Sequence, residues 1–113
     1  MNLIDVSKER QVAVILLKVR RLDASVAPGF KQAVLSVIES GESRLVLDLT
    51  EVAFIDSSGL GAMVSVLKAL GGHGMIALCN ASVGVLSLFR LTRMDKVFSI
   101  LSSRDEAVTK VSS

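Results

Sequence analysis

Two adjacent serines, Ser57 and Ser58, hold the strongest chemistry in the sequence. They follow the apolar run Val52-Ala53-Phe54-Ile55 and a carboxylate, Asp56, and they precede Gly59-Leu60-Gly61. That order reads as a strand that stops at Asp56 and restarts as a helix. A hydroxyl is then presented above the free backbone N–H groups of a helix N-terminus, a place suited to a group that carries or contacts a phosphate. A serine there is also expected to cap the helix by accepting from a backbone N–H two or three residues on, worth about 1 kcal/mol. One cap needs one hydroxyl, and here there are two. Gly59 and Gly61 fall in the first helical turn, where each costs up to roughly 1 kcal/mol relative to Ala. Their absent side chains read equally as tight packing of helix on sheet and as clearance for another protein.

Catalysis by the chain itself finds little support. A nucleophile elbow wants Gly two residues before the serine, where Ile55 or Asp56 stands. A serine hydrolase also needs a base, and His73 is the single histidine. It lies in the turn Gly71-Gly72-His73-Gly74, where a solvated imidazole is expected. With one His and one Cys, a His/Cys metal site lacks members, and no Gly-Lys-Ser/Thr follows the glycines to make a phosphate loop. No metal and no cofactor is expected. The serines read better as a site that another enzyme modifies or docks against.

The elements around the serines alternate. Leu3 to Val6 and Val12 to Val19 are strand-like runs joined by the polar Ser7-Lys8-Glu9-Arg10-Gln11, a hairpin whose second strand is apolar on both faces and so central. Phe30, Val34, Val37 and Ile38 keep helical spacing. Asp23 or Ser25 is placed to cap that helix, Pro28 fits its first turn, and Gly41 stops it. Arg44 to Leu49 is a strand. Leu60, Met63, Val64, Leu67 and Leu70 form a second helical face ended by Gly71-Gly72. Gly74 to Cys79 is a strand, Val83, Leu86 and Phe89-Arg90 a short helix, Val97 to Leu101 an edge strand, and Asp105 to Val111 a last helix. The fold class is α/β: a mixed sheet of four to five strands, starting with a β-hairpin and packed with about four helices.

Length and composition fit one domain over residues 1–113. Half of the residues are apolar and 21% are charged, a globular balance. Mean hydropathy is high at +0.57, but the run Val12–Leu17 is far short of the ~20 apolar residues a spanning helix needs, so no membrane partner is expected. Met1-Asn2-Leu3-Ile4-Asp5 has no basic leader before an apolar stretch, so no signal peptide is expected either. A lone cysteine, Cys79, in an apolar strand reads as a buried small hydrophobe in a reducing cytoplasm. A charge of +2, no Trp or Tyr and four Phe argue against nucleic acid. Met63, Met75 and Met94 are expected to fill the core. Arg90 and Arg93, near Phe89 and Leu91, read as a solvated helix end, with a docking edge as the other possibility.

Ile55-Asp56-Ser57-Ser58-Gly59-Leu60-Gly61, preceded by Leu47-Asp48-Leu49 and following Leu22-Asp23, resembles the STAS-domain anti-sigma factor antagonists of bacteria. The likeness spans nearly the whole order of elements. It implies a regulator, not an enzyme. In that family the unphosphorylated protein binds an anti-sigma factor that is itself a serine kinase and so frees the sigma factor. The kinase phosphorylates the first serine of the motif, and a metal-dependent serine phosphatase reverses this. By resemblance the acceptor is Ser57 and not Ser58, a ranking the residues alone leave open. Asp23 and Asp56 match acidic positions bordering the site. Ser58, Gly59, Leu60 and Gly61 line it, and the helix from Ser58 to Leu70 with Asp23 to Ala27 is the expected docking face. Monomer and weak dimer both remain open, and a scaffold or transport-accessory subunit without a phosphorylation cycle is the alternative.

One departure concerns partner recognition. The family often carries Gly-x-Leu-Asp, where this chain has Arg20-Arg21-Leu22-Asp23. Two solvated arginines at a strand end are expected; the other reading is a positive charge that serves a phosphoserine or selects a partner.

Overall fold

The computed structural model describes residues 2–112. Its chain opens with a hairpin, β1 (Ile4–Glu9) antiparallel to β2 (Val12–Leu17), in register from Ile4 opposite Leu17 to Glu9 opposite Val12. The first strand thus continues through Ser7-Lys8-Glu9, residues expected in the connection. The loop is only Arg10-Gln11, with φ of 49° and 64°, a geometry that usually draws Asn-Gly. Apolar patterning could not mark the strand because β1 is an outer strand, exposed over most of its length.

β4 (Arg44–Asp48), β6 (Met75–Cys79) and β7 (Ser99–Leu101) extend the sheet in parallel from β2, giving the order β1-β2-β4-β6-β7. The sheet is mixed and hairpin-led as expected, with five strands. Period-two alternation divides its side chains between two cores. Ala13, Ile15, Leu17, Leu45, Leu47 and Leu78 face α1 (Ala27–Glu39), α2 (Ser57–Leu70) and α3 (Val83–Leu91). Val12, Val14, Val46, Ala77 and Cys79 face α4 (Arg104–Ser112), which meets them with Ala107, Val108 and Val111. β2 is therefore covered on both faces, although β4 is the middle strand.

α1 buries Phe30 and Val34, with Val37 and Ile38 partly covered, the face its spacing predicts. Its cap differs from expectation. Val26 is the N-cap and no side chain caps the helix, because Asp23 closes a turn ahead of it, its carbonyl accepting from Ala27 N at 2.8 Å. Gly41 (φ 112°) and Gly71 (φ 65°) end α1 and α2 in the left-handed region that glycine favours.

Three further expectations shift. α3 buries Val85 and Phe89 instead of Val83 and Leu86. Ser82 caps it, accepting from Val85 N at 3.3 Å, which leaves Val83 in the first turn 84% exposed. The edge strand starts at Ser99, not Val97, since Phe98 turns inward against Phe89 with ring centroids 6.1 Å apart. Met63 is buried and Met94 partly so, but Met75, the first residue of β6 and opposite Arg44, is exposed. Cys79 is buried, and burial beside Asp48 pushes its thiol up to about 12. No helix among the described residues is long and apolar enough to cross a membrane.

Candidate functional site

A second, two-stranded sheet positions the serines. β3 (Arg21–Leu22) pairs in parallel with β5 (Phe54–Ile55), Arg21 opposite Phe54 and Leu22 opposite Ile55. Leu22 and Ile55 are buried in the helical core, while Arg21 and Phe54 are exposed and stacked, the guanidinium carbon 4.2 Å from the ring centroid. Such a cation–π contact contributes about 0.5–1 kcal/mol at an exposed site. Arg21 Nε also lies 3.6 Å from Asp23 Oδ2. Arg20 and Arg21 are both exposed, as expected at a strand end, with Arg21 held against Phe54 and Asp23, and the Arg20 carbonyl serves the same pairing by accepting from Ala53 N at 2.7 Å.

The residues that follow the two strands are Asp23 and Asp56, so the pairing brings the expected acidic pair together. Asp56 N donates to the Leu22 carbonyl at 3.2 Å, and Ala24 N donates to Asp56 Oδ2 at 3.3 Å. The Ser25 hydroxyl, donating to Asp23 Oδ1 at 2.6 Å, holds the Asp23 carboxyl below its ordinary value, and Arg21 adds to this. Asp23 is therefore a carboxylate at neutral pH.

Asp56, and neither serine, caps α2: its Oδ1 accepts from Gly59 N at 3.0 Å. The reason is backbone geometry. The chain is still extended at Asp56 (φ −102°, ψ −174°), as an N-cap must be, and a carboxylate caps as well as a hydroxyl does. Ser57 and Ser58 are the first two helical residues, both exposed. Among the described residues neither hydroxyl is held by a hydrogen bond. Their backbone N–H groups belong to the unpaired first turn, so the free Ser57 hydroxyl sits at the positive end of a 14-residue helix.

The two glycines of the motif separate in role. A Cβ on Gly59 would stand 2.3 Å from the Leu22 carbonyl oxygen and 2.9 Å from Ile55 Cγ2, so this residue lets α2 close on the small sheet. A Cβ on Gly61 would meet nothing within 4 Å; it leaves open surface beside the serines. Leu60 is half-buried against the helical core. Ser58 lines a shallow groove of about 320 Å³ between α1 and α2, with Ala24, Ala27, Lys31 and Ser65. This is the face formed by α2 and the Asp23–Ala27 segment.

His73 closes the turn that follows α2, at the opposite end from Ser57. A helix of 14 residues spans roughly 20 Å at 1.5 Å per residue, too far for a base. Among the described residues no cluster of His, Cys, Asp and Glu is arranged to hold a metal ion. What residue types alone did not disclose is the Arg21–Phe54 stack. Its only signal is that two short runs, 21–22 and 54–55, both place their apolar partner next to an aspartate.

The STAS domain family model matches residues 4–107. A Thermotoga maritima protein assigned as an anti-sigma factor antagonist is 31% identical over 100 residues, 87% of this chain and 88% of that one. The anti-sigma-B factor antagonist of Listeria monocytogenes is 33% identical over 87 residues, 75% of each chain. Among solved structures, an anti-sigma factor antagonist from Mycobacterium paratuberculosis matches with a TM-score of 0.89 at 26% identity, covering 97% of this chain and 93% of that one. The chain belongs to the STAS domain family and, within it, to the anti-sigma factor antagonists.

Proposed function

We propose that this antagonist is a single-domain cytoplasmic module, spanning residues 1–113, switched by phosphorylation of Ser57. Unphosphorylated, it binds an anti-sigma factor that is itself a serine kinase, and the sigma factor is released. The kinase transfers the γ-phosphoryl group of ATP to Ser57 Oγ, ADP leaves, and binding ends. A metal-dependent serine phosphatase restores the hydroxyl. Asp23, Asp56, Ser58, Gly59, Leu60 and Gly61 line the surface the kinase reads.

The observation that carries this reading is the cap. Because Asp56 holds the start of α2, the exposed Ser57 hydroxyl has no structural duty and is free to be a substrate. Phosphate there adds about 1.5 to 2 negative charges at pH 7. The helix N-terminus offsets part of that charge, so the fold stays intact, while beside Asp23 and Asp56 the local surface becomes more negative. A partner docked on this face then loses electrostatic complementarity.

The test is incubation with a purified anti-sigma factor kinase and ATP, followed by mapping of the phosphosite. Phosphate is expected on Ser57, lost in Ser57→Ala and kept in Ser58→Ala. Ser57→Asp is expected to weaken kinase binding. Phosphate on Ser58, or none on either serine, overturns the assignment.

A further inference from the structure

The hairpin leaves β1 as a free edge of the five-stranded sheet, and its register fixes which of its groups point outward. Lys18 N donates to the Leu3 carbonyl at 2.8 Å, one step beyond the pair Ile4–Leu17. In an antiparallel ladder, alternate residues exchange both bonds with the residue opposite. Asp5, Ser7 and Glu9 therefore direct their N–H and C=O groups to β2, while those of Ile4, Val6 and Lys8 point away from the sheet. Such a row is a template for another strand.

The side chains say which strand fits. Natural edges are often guarded by charge, but two of the three charges on β1 are already engaged. Lys8 Nζ lies 2.7 and 2.8 Å from the Glu42 carboxylate oxygens, and Glu9 Oε2 lies 3.7 Å from Arg104. Neither proline nor a bulge interrupts residues 4–9. Asp5 and Ser7 are exposed, and among the described residues their side chains make no hydrogen bond or ion pair. Because only Ile4, Val6 and Lys8 bond outward, a second β1 pairs antiparallel in two registers that join five residues of each strand. Centred on Ser7, Asp5 faces Glu9 of the second copy at both ends, and directly opposed like charges destabilise. Centred on Val6, Asp5 faces Ser7 of the second copy, Ile4 faces Lys8, and Val6, 43% exposed, meets its own counterpart. The two polar side chains without a partner in one chain become partners across the axis.

We propose that β1 is a self-association edge, at which two copies pair their first strands about a two-fold axis through Val6. The outward groups of Ile4, Val6 and Lys8 then close about six main-chain bonds. Each Ser7 hydroxyl donates to the Asp5 carboxylate of the other copy, a charge-assisted bond made twice. A single strand edge is a small interface, so the dimer is weak and concentration-dependent. None of residues 56–61 belongs to this edge, so the proposal stands apart from the switch reading.

The test is sedimentation velocity of the intact protein from about 20 µM to about 1 mM, where a small interface dissociates. Passage from monomer to dimer is expected. Amide exchange followed by NMR at both ends of the range is expected to slow in the concentrated sample at Ile4, Val6 and Lys8, and to stay unchanged at Asp5, Ser7 and Glu9. Val6→Lys opposes two ammonium groups at the axis, and Ser7→Asp opposes two carboxylates on either side of it. Each is expected to weaken the dimer by about tenfold or more, and adding Asp5→Lys to Ser7→Asp is expected to restore it. Val83→Lys, on the exposed start of α3, is expected to change nothing. All of these side chains are exposed, and circular dichroism checks that the variants fold. A monomer across the whole range overturns the proposal. So does a dimer that Val6→Lys and Ser7→Asp leave intact, one that Val83→Lys dissolves, or one in which the Ile4, Val6 and Lys8 amides exchange as before.

Discussion

Two aspartates end strands in this molecule, and their surroundings are opposites. Asp48, at the end of β4, is 3% exposed. It accepts from Thr50 N at 3.0 Å, Asn80 Nδ2 at 3.1 Å and Arg104 Nη2 at 2.8 Å, with the Thr50 hydroxyl as well. Asp56, at the end of β5, is half-buried and holds only two backbone N–H groups. One carboxylate is saturated and ties α4 to the sheet through Arg104, whose guanidinium also lies 3.7 Å from Glu9. The other organises a turn and leaves the neighbouring hydroxyl free. A fully satisfied buried network reads as architecture; a half-buried one with fewer bonds leaves room for a partner.

Breaking the saturated site has the largest expected effect. Asp48→Ala strands Arg104 and three further donors. Removing one member of a buried ion pair costs about 3–5 kcal/mol, and the 38% exposure of the Arg104 side chain puts the loss near the lower figure. The urea midpoint reads it. Burial alone would raise the Asp48 carboxyl, but hydrogen bonds from Thr50, Arg104 and Asn80 outweigh it and hold the group below 3.8. Below that pH the unfolded chain binds the proton first. The stabilisation is therefore complete above pH 3.8 and is lost as pH falls through the lower folded value. Asp48→Ala should show a shallower acid limb in that window; an unchanged limb contradicts the role given to this network.

The second comparison lies inside the serine turn. Gly59→Ala pushes a methyl group against the Leu22 carbonyl, so α2 must lift from β3, at an expected cost of about 1–3 kcal/mol. Gly61→Ala meets open space and should stabilise the helix by up to about 1 kcal/mol. Thermal unfolding of the pair separates them by sign. Opposite expectations at two glycines two positions apart make this sensitive to the seating of α2. Two shifts in the same direction would refute it.

How much of this was legible in the sequence follows the same divide. Apolar periodicity disclosed the elements that bury a face: Phe30 and Val34 on α1, Met63 and Leu70 on α2, and β2 but for the half-buried Leu16. It failed where burial gave no pattern. β1 is exposed on both faces, so Ser7-Lys8-Glu9 looked like a loop. Arg10 and Gln11 adopt positive φ without glycine, and Val83 projects from α3 although it is apolar. The serine turn was legible as a motif, but its cap was assigned to the wrong residue, since Asp, Ser and Ser are all good caps. Only the extended backbone at Asp56 decides among them. The Arg21–Phe54 stack depends on pairing residues 33 apart in the chain, which local spacing cannot signal.

The smallest expected effect tests the division of labour most closely. If Asp56 is the cap, Asp56→Ala should cost about 1 kcal/mol, with some addition because Ala24 N loses its acceptor. Ser57→Ala removes an exposed hydroxyl with no partner among the described residues and should stay within about 0.5 kcal/mol of the wild type. The near-silent substitution in denaturation is the one expected to abolish phosphate incorporation. The costly one keeps the acceptor while loosening its frame, so its phosphorylation should slow without disappearing. If instead Ser57→Ala destabilises by as much as Asp56→Ala, the hydroxyl shares the cap after all. The free serine that distinguishes this turn from the saturated Asp48 site would then be lost, and with it the physical reason for choosing Ser57 as the substrate.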